Sequence, residues 1–153
     1  MSHLPINHPL RPVYRGLAGL IGLYAIVFGA VGLAVTSDLD TFASPGEWVL
    51  GQRTNTAYSV ISIILGVVLI AGSVLGRNLD HFIDMVVGVI YMVIGTAMLA
   101  LMQTDANILG FGMTNVIVVY LLGMVLFAAG LYTKMGSAEA ARAEHDFATG
   151  VSR

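Results

Sequence analysis

The sequence predicts an all-α membrane protein, a bundle of four transmembrane helices arranged as two tandem helical hairpins. Three observations predict it: an apolar composition, four long stretches without charge, and a repeated pattern before two of the helices. Of the 153 residues, 57% are hydrophobic and only 10% are charged, whereas an ordinary soluble domain carries roughly 25% charged residues. So few charges cannot cover a water-facing surface of this size, and the lipid bilayer is therefore the expected surrounding.

Four stretches are long enough to cross a bilayer. A helix rises about 1.5 Å per residue and needs about 20 apolar residues to cross the hydrocarbon core. The charge-free stretches cover residues 16–37, 54–76, 85–104 and 106–133. Continuous apolar runs of this length predict helices, because the strands of a membrane barrel would alternate between apolar and polar residues.

The positions of Lys and Arg predict that both termini are cytoplasmic. Six of the seven basic residues lie before the first stretch, between the second and third stretches, or in the tail, and only Arg53 lies on the other side. Cytoplasmic flanks of membrane helices carry the excess of Lys and Arg. The chain therefore divides into a cytoplasmic segment (1–15), a four-helix transmembrane domain (16–135) and a cytoplasmic tail (136–153).

An internal repeat favours a duplicated hairpin. Leu50-Gly51 followed by Thr54-Asn55 introduces the second predicted helix. Leu109-Gly110 followed by Thr114-Asn115 introduces the fourth, whose most apolar part begins at about Val116. Both copies fall on the predicted outer face, so the two hairpins would be parallel copies related by an axis along the membrane normal. Chance is the alternative, since each dipeptide is common.

Small residues spaced by seven predict a packing face on each helix. Seven residues are about two helical turns, so both members of a pair lie on one face, where small side chains let helices approach closely in lipid. The predicted packing residues are Gly22 and Gly29, Gly66 and Ser73, Gly88 and Gly95, and Gly123 and Gly130.

Two of these segments carry a family resemblance. They are residues 104–110 (TDANILG) with the following Met113-Thr114-Asn115, and residues 52–57 (QRTNTA). With four spans and an Arg-bearing start, the chain resembles a family of small four-helix membrane proteins described only as a domain of unknown function, known mainly from actinobacteria. The resemblance covers roughly residues 8–135. It implies the fold class and a plasma-membrane location, and it supplies no activity, substrate or catalytic residue.

Polar residues at the outer helix ends form the main candidate site. This outer polar cluster comprises Asp38, Arg53, Asn55, Asp105, Asn107, Thr114 and Asn115. Helix capping is the favoured interpretation, because Asn and Thr before a helix satisfy its free backbone N–H groups. Asp105 would bond loop donors or pair with Arg53. A small-ligand or cation site and a partner-docking epitope are the alternatives.

Ionisable residues are expected outside the membrane core, since none lies within the four charge-free stretches. Intramembrane carboxylates mark many transporters and cation pores, so these classes are disfavoured, and a membrane haem would lack axial ligands within the helices. On the inner face, Arg77, Asp80, His81 and Asp84 are interpreted as a solvated loop with a local ion pair.

The sequence predicts no catalytic, cofactor-binding or metal-binding residues. No nucleophile–base pair or metal set can be recognised, the chain has no cysteine, and a net charge of −2 disfavours a nucleic-acid partner. The expected partners are the lipid bilayer and other membrane proteins or the chain itself. The leading hypothesis is a non-enzymatic accessory or scaffold subunit of a plasma-membrane complex for envelope lipid transport or respiration. The alternative is a small-molecule or lipid carrier with a cavity between the hairpins.

Overall fold

The structure, a computed structural model, is mostly helical and describes residues 6–150, except for the side chains of residues 144, 145 and 148. The ends of the predicted segments 1–15 and 136–153, with Arg153, lie outside the described residues. The elements in chain order are α1 (Arg11–Val35), β1 (Glu47–Val49), β2 (Gln52–Thr54), α2 (Thr56–Leu75), α3 (Leu79–Leu101), α4 (Met113–Tyr132) and α5 (Ala138–Thr149). Helices α1 to α4 are long and apolar enough to cross a membrane. The predicted all-α fold with four long apolar helices is therefore confirmed.

The four long helices pack as two antiparallel hairpins. Helix α1 packs mainly on α2, and α3 mainly on α4, while the contacts between the hairpins are fewer. In each hairpin a glycine of one helix crosses a glycine of the other: Gly22 against Gly66, and Gly88 against Gly123. We call these four the crossing glycines. A Cβ on any of them would lie between 2.6 and 2.9 Å from a backbone atom of the facing helix, so only glycine fits there.

The other predicted packing residues also face the second helix of their own hairpin. Gly29 faces Ser59 and Ile63, Ser73 faces Gly19, Gly95 faces Val119 and Tyr120, and Gly130 faces Met85. The interval of seven residues thus follows the seam inside each hairpin, which leaves the outward surfaces of the helices to larger side chains.

A matching basic residue lies toward the inner end of each hairpin. Seven positions before the crossing glycine of α1, Arg15 donates a hydrogen bond to the carbonyl of Ser73, which lies seven positions after the crossing glycine of α2. At the equivalent places of the second hairpin, His81 Nδ1 lies 2.6 Å from the carbonyl oxygen of Gly130. The two hairpins therefore share a glycine crossing and, seven positions before it, a basic side chain that contacts a carbonyl near the end of the neighbouring helix.

The inner connection between the hairpins is shorter than predicted. Residues 76, 77 and 78 all have positive φ (61°, 54° and 67°), and this turn lets α3 begin at Leu79 rather than at residue 85. Asp80 and Asp84 are consequently 0% exposed and His81 is 6% exposed. The expectation of a solvated loop is wrong for these three residues, because the face of α3 that carries them is enclosed by the other helices instead of water.

The outer connection between α1 and α2 contains a β-hairpin that was not predicted. Strands β1 and β2 pair antiparallel, with Val49 opposite Gln52. Both turn residues, Leu50 and Gly51, have positive φ, as in a type I′ turn. Gly110, in the second copy of the Leu-Gly pattern, also has positive φ. Both copies therefore place glycine where an L side chain is disfavoured.

We expect the substitution Gly88→Ala to destabilise the bundle, because the new Cβ would lie 2.7 Å from the backbone nitrogen of Phe127. Overpacking of this kind costs about 1–3 kcal/mol, measured as a lower melting temperature in detergent. Gly16→Ala on α1 is the matched control, since a Cβ there meets nothing within 4 Å. Equal melting temperatures for the two variants would contradict the close crossing.

Candidate functional site

Asn55 caps α2 and joins two outer loops. Its Oδ1 accepts a hydrogen bond from the backbone N–H of Tyr58 at 3.0 Å. Its side-chain amide donates to the carbonyls of Ala43 (3.1 Å) and Ile108 (2.9 Å). The side chain is 0% exposed. The buried amide of Asn55 therefore caps α2 and also binds the backbone of both outer loops, the one between α1 and α2 and the one between α3 and α4.

Asn115, in the first turn of α4, binds β2 in the way a neighbouring strand would. Its Oδ1 accepts from the backbone N–H of Arg53 at 3.0 Å, and its amide donates to the Arg53 carbonyl at 2.6 Å. The same Oδ1 also accepts from the N–H of Gly112 at 3.2 Å, at the start of α4. The second hairpin thereby caps its own helix and holds the strand of the first hairpin.

Asn107 closes the loop between α3 and α4. Its amide donates to the carbonyls of Met102 (3.1 Å) and Phe111 (2.9 Å), and its Oδ1 accepts from the N–H of Phe111 at 2.9 Å. Like the other two asparagines it is buried. All three amides of the outer polar cluster thus bind backbone groups.

The charged and hydroxyl members of the outer polar cluster lie at the surface. Asp38, Asp105 and Thr114 are exposed, and the Arg53 guanidinium lies 5.3 Å from the centre of the Trp48 ring. Among the described residues, Arg11 and Arg15 of α1 form ion pairs with Asp80 of α3, whereas Arg53 forms none with Asp105. The structure brings the three asparagines into the protein interior and leaves the carboxylates apart. Arg53 and Asp105 line an open depression of about 610 Å³ on the outer face.

A second cluster lies at the inner end of the bundle, where the sequence suggested only a loop. Arg11 donates to Asp80 Oδ2 at 2.6 Å, and Arg15 Nε lies 3.4 Å from the same oxygen. Arg11 Nε also donates to the carbonyl of Thr133 at 2.8 Å, beyond the end of α4. Arg15 donates to the carbonyl of Ser73 near the end of α2. Two arginines of α1 thus join the inner ends of the other three helices.

This inner ionic network contains polar atoms without partners. Asp84 lies one helical turn after Asp80, is 0% exposed, and neither of its carboxyl oxygens has a hydrogen-bond partner. The charges of Asp80 and Arg15 act on it electrostatically. Asp80 Oδ1 also lacks a hydrogen-bond partner, and Arg15 Nε has only its ion pair with Asp80 Oδ2. Such a concentration is unusual, because nearly all buried polar groups in proteins are hydrogen-bonded.

A sequence signal for this network existed. Arg11 and Arg15 are four residues apart, as are Asp80 and Asp84, so each pair lies on one helix face. The two pairs have opposite charge and lie at the predicted inner ends of two parallel helices. The signal was missed because all four residues were assigned to segments outside the helices.

The geometry defines the class of protein as a helical bundle whose four long helices could cross a membrane. Comparisons with protein-family models, with curated proteins and with solved structures gave no match to this chain. Within the part of the chain that the structure describes, no group of three or more His, Asp or Glu residues is placed to hold a metal ion.

The substitution Asn55→Ala should lower the stability of the protein, because it removes a helix cap and leaves the carbonyls of Ala43 and Ile108 unpaired. A lost cap alone costs about 1 kcal/mol, and the buried carbonyls add to that loss. Asp105→Ala is the control at the same end, and its exposed side chain should leave the melting temperature unchanged. A larger loss for Asp105→Ala than for Asn55→Ala would contradict these roles.

The two aspartates of α3 should respond to substitution in opposite directions. Asp80→Asn leaves two partly buried arginines without their counter-charge and should cost about 3 kcal/mol. Asp84→Asn removes a carboxylate that has no partner and should raise the melting temperature. Thermal unfolding of both variants in one detergent measures the contrast. An equal loss of stability for both would show that Asp84 has a favourable partner.

Proposed function

We propose that the chain is an integral protein of the plasma membrane, with α1 to α4 crossing the bilayer and both termini on the cytoplasmic side. The observation that carries this proposal is the apolar outer surface of the bundle. Only 33–39% of the most apolar window of each helix is buried inside the bundle. Each helix exposes large aliphatic side chains, such as Leu20, Ile64, Val93 and Leu121. Their exposure is favourable in lipid and costly in water.

The residues at the two ends of the bundle support this orientation. Trp48 and Phe42, each 59% exposed, lie in the outer loop, where aromatic rings suit the headgroup level. The inner end carries Arg11, Arg15 and Arg77. This distribution agrees with the excess of basic residues expected on the cytoplasmic side.

Within that membrane, the chain acts as a non-enzymatic accessory or scaffold subunit of a larger complex, such as an envelope lipid-transport or respiratory assembly. The supporting observation is a bundle fixed at both ends: the inner ionic network joins four helices, and the three asparagines join the outer loops. A rigid bundle presents a constant surface to a partner. The predicted packing glycines are used inside the hairpins, so the partner contacts would involve the outward Leu, Ile and Val side chains.

A lipid or small-molecule carrier is the second candidate. A cavity between the hairpins was expected for it, whereas a groove of about 410 Å³ lies within the first hairpin, between α1 and α2. That groove favours a lipid as the bound molecule, because it runs along the apolar outer side of the bundle.

The absence of cysteine permits a direct test of insertion and orientation. Ser37→Cys places a thiol in the exposed outer loop, and Glu139→Cys places one on the exposed surface of α5. In intact cells, a membrane-impermeant maleimide should label the first variant only, and both should react after the membrane is permeabilised. Labelling of both thiols in intact cells, or of the α5 thiol alone, would contradict the proposal.

Affinity purification in a mild detergent tests the subunit role. We expect other membrane proteins to co-purify in fixed stoichiometry, and a cluster of surface substitutions such as Val93→Ala with Leu121→Ala to weaken that association. The matched control is the pair Leu20→Ala with Ile64→Ala on the first hairpin, which distinguishes one docking face from a general loss of apolar surface. A lone protein that carries a bound lipid would favour the carrier instead.

A further inference from the structure

We propose that the groove between α1 and α2 binds an anionic lipid, with the phosphate headgroup at Arg15 and one acyl chain along the helices toward the bilayer centre. The inference rests on the proposed membrane insertion and names a ligand for one surface of the inserted bundle. It concerns the inner half of the first hairpin only.

The groove exists because two residues of α1 have no side chain. Gly16 and Gly19 line it, with Leu23 and Ile70 further along. A Cβ at Gly16 would meet nothing within 4 Å, and one at Gly19 would meet Ser73 at an ordinary 3.5 Å. Unlike the crossing glycines, these two are required neither by packing nor by positive φ. Glycine within a helix costs up to about 1 kcal/mol relative to alanine, so the space that they leave is open to a molecule outside the chain.

The inner end of the groove carries two side chains that can donate hydrogen bonds, Ser73 and Arg15. Ser73 lines the groove, and its Oγ has no hydrogen-bond partner. Arg15 also lines it and keeps 28% of its side chain exposed, and its Nε has no hydrogen bond beyond the 3.4 Å ion pair with Asp80. A hydroxyl and a guanidinium are the donors that suit phosphate oxygens. The apolar residues that follow, Leu23 and Ile70, suit a hydrocarbon chain.

The charge at this end favours an anionic lipid over a zwitterionic one. Arg77 follows α2 and is exposed, and Arg15 reaches the groove. The two carboxylates of the inner ionic network, Asp80 and Asp84, are enclosed in the bundle at 0% exposure. A headgroup at the groove would therefore meet positive charge at the surface, with the negative charge set behind α1.

The length of the groove matches one leaflet of a bilayer. It extends along α1 from Pro12 to Leu23, which is roughly 16 Å at the rise of an α-helix. The hydrocarbon core of a bilayer is about 30 Å thick, so one acyl chain of the inner leaflet spans about the same distance. The position of Arg15 near the inner end places a phosphate at the headgroup level of that leaflet.

Native mass spectrometry of the full chain released from detergent tests the proposal, with phosphatidylglycerol and phosphatidylcholine as probes. The wild-type protein should retain phosphatidylglycerol in a one-to-one complex at concentrations about tenfold lower than phosphatidylcholine. Both lipids carry a phosphate, but the choline cation of phosphatidylcholine would lie beside Arg15 and Arg77 and be repelled by them. Gly16→Leu should abolish this preference, because its side chain fills the groove without displacing protein atoms. Ser73→Ala should weaken phosphatidylglycerol binding several-fold while leaving the acyl-chain groove intact.

Ala30→Leu is the matched control, since it adds a side chain to an exposed position of the same helix outside the groove. Equal binding of the two lipids by the wild-type protein, or unchanged selectivity in Gly16→Leu, would overturn the proposal. A wild-type dimer that Gly16→Leu dissociates would assign the groove to a second copy of the chain and would also overturn it. Labelling of Ser37→Cys and Glu139→Cys, each introduced into the same variants, shows separately whether the chain is inserted, so failure of the lipid site is distinguishable from failure of the membrane proposal.

Discussion

The bundle depends on the contact between backbones at the crossing glycines. Helices in lipid have no hydrophobic force that drives them together, so close packing must supply the attraction. Gly22 against Gly66 and Gly88 against Gly123 bring the helices of each hairpin near enough for that packing. The rest of the structure follows from these two contacts, because they set the register that brings Arg15 to α2 and His81 to α4.

The sequence predicted the parts of the fold that appear as a pattern of apolar or small residues. Four long apolar helices and the small-residue seams could be recognised because each is a pattern within one segment. The beginning of α3 could not be recognised, because a continuous apolar run starts only after Asp84, and the charged residues before it lie on the one face of α3 that the bundle encloses. Asp80 and Asp84 were therefore placed in a loop, although they lie inside the bundle. The β-hairpin was missed for a related reason: its turn has Leu50 at positive φ, a residue that rarely marks such a turn.

The two ends of the bundle differ in how their buried polar side chains are hydrogen-bonded. At the outer end, the amides of Asn55, Asn107 and Asn115 bind backbone groups, so each polar atom replaces a contact with water by one within the protein. Individual asparagines could be assigned to helix ends from the sequence, but the carbonyls that they bind come from other loops, and only the fold brings those together. At the inner end, Arg11 and Arg15 converge on one carboxylate and leave Asp84 without a partner.

Arg15 connects the two features of the structure that stability alone does not explain. It lies between the enclosed aspartates and the glycine-lined groove, and it reaches both. Alanine at position 16 would stabilise the helix, and an uncharged residue at position 84 would stabilise the interior of the bundle. Departures from local preference are expected where a protein has a function to perform. Their position on either side of one arginine is the reason why we propose a ligand site at the inner end of the first hairpin rather than at the capped outer surface.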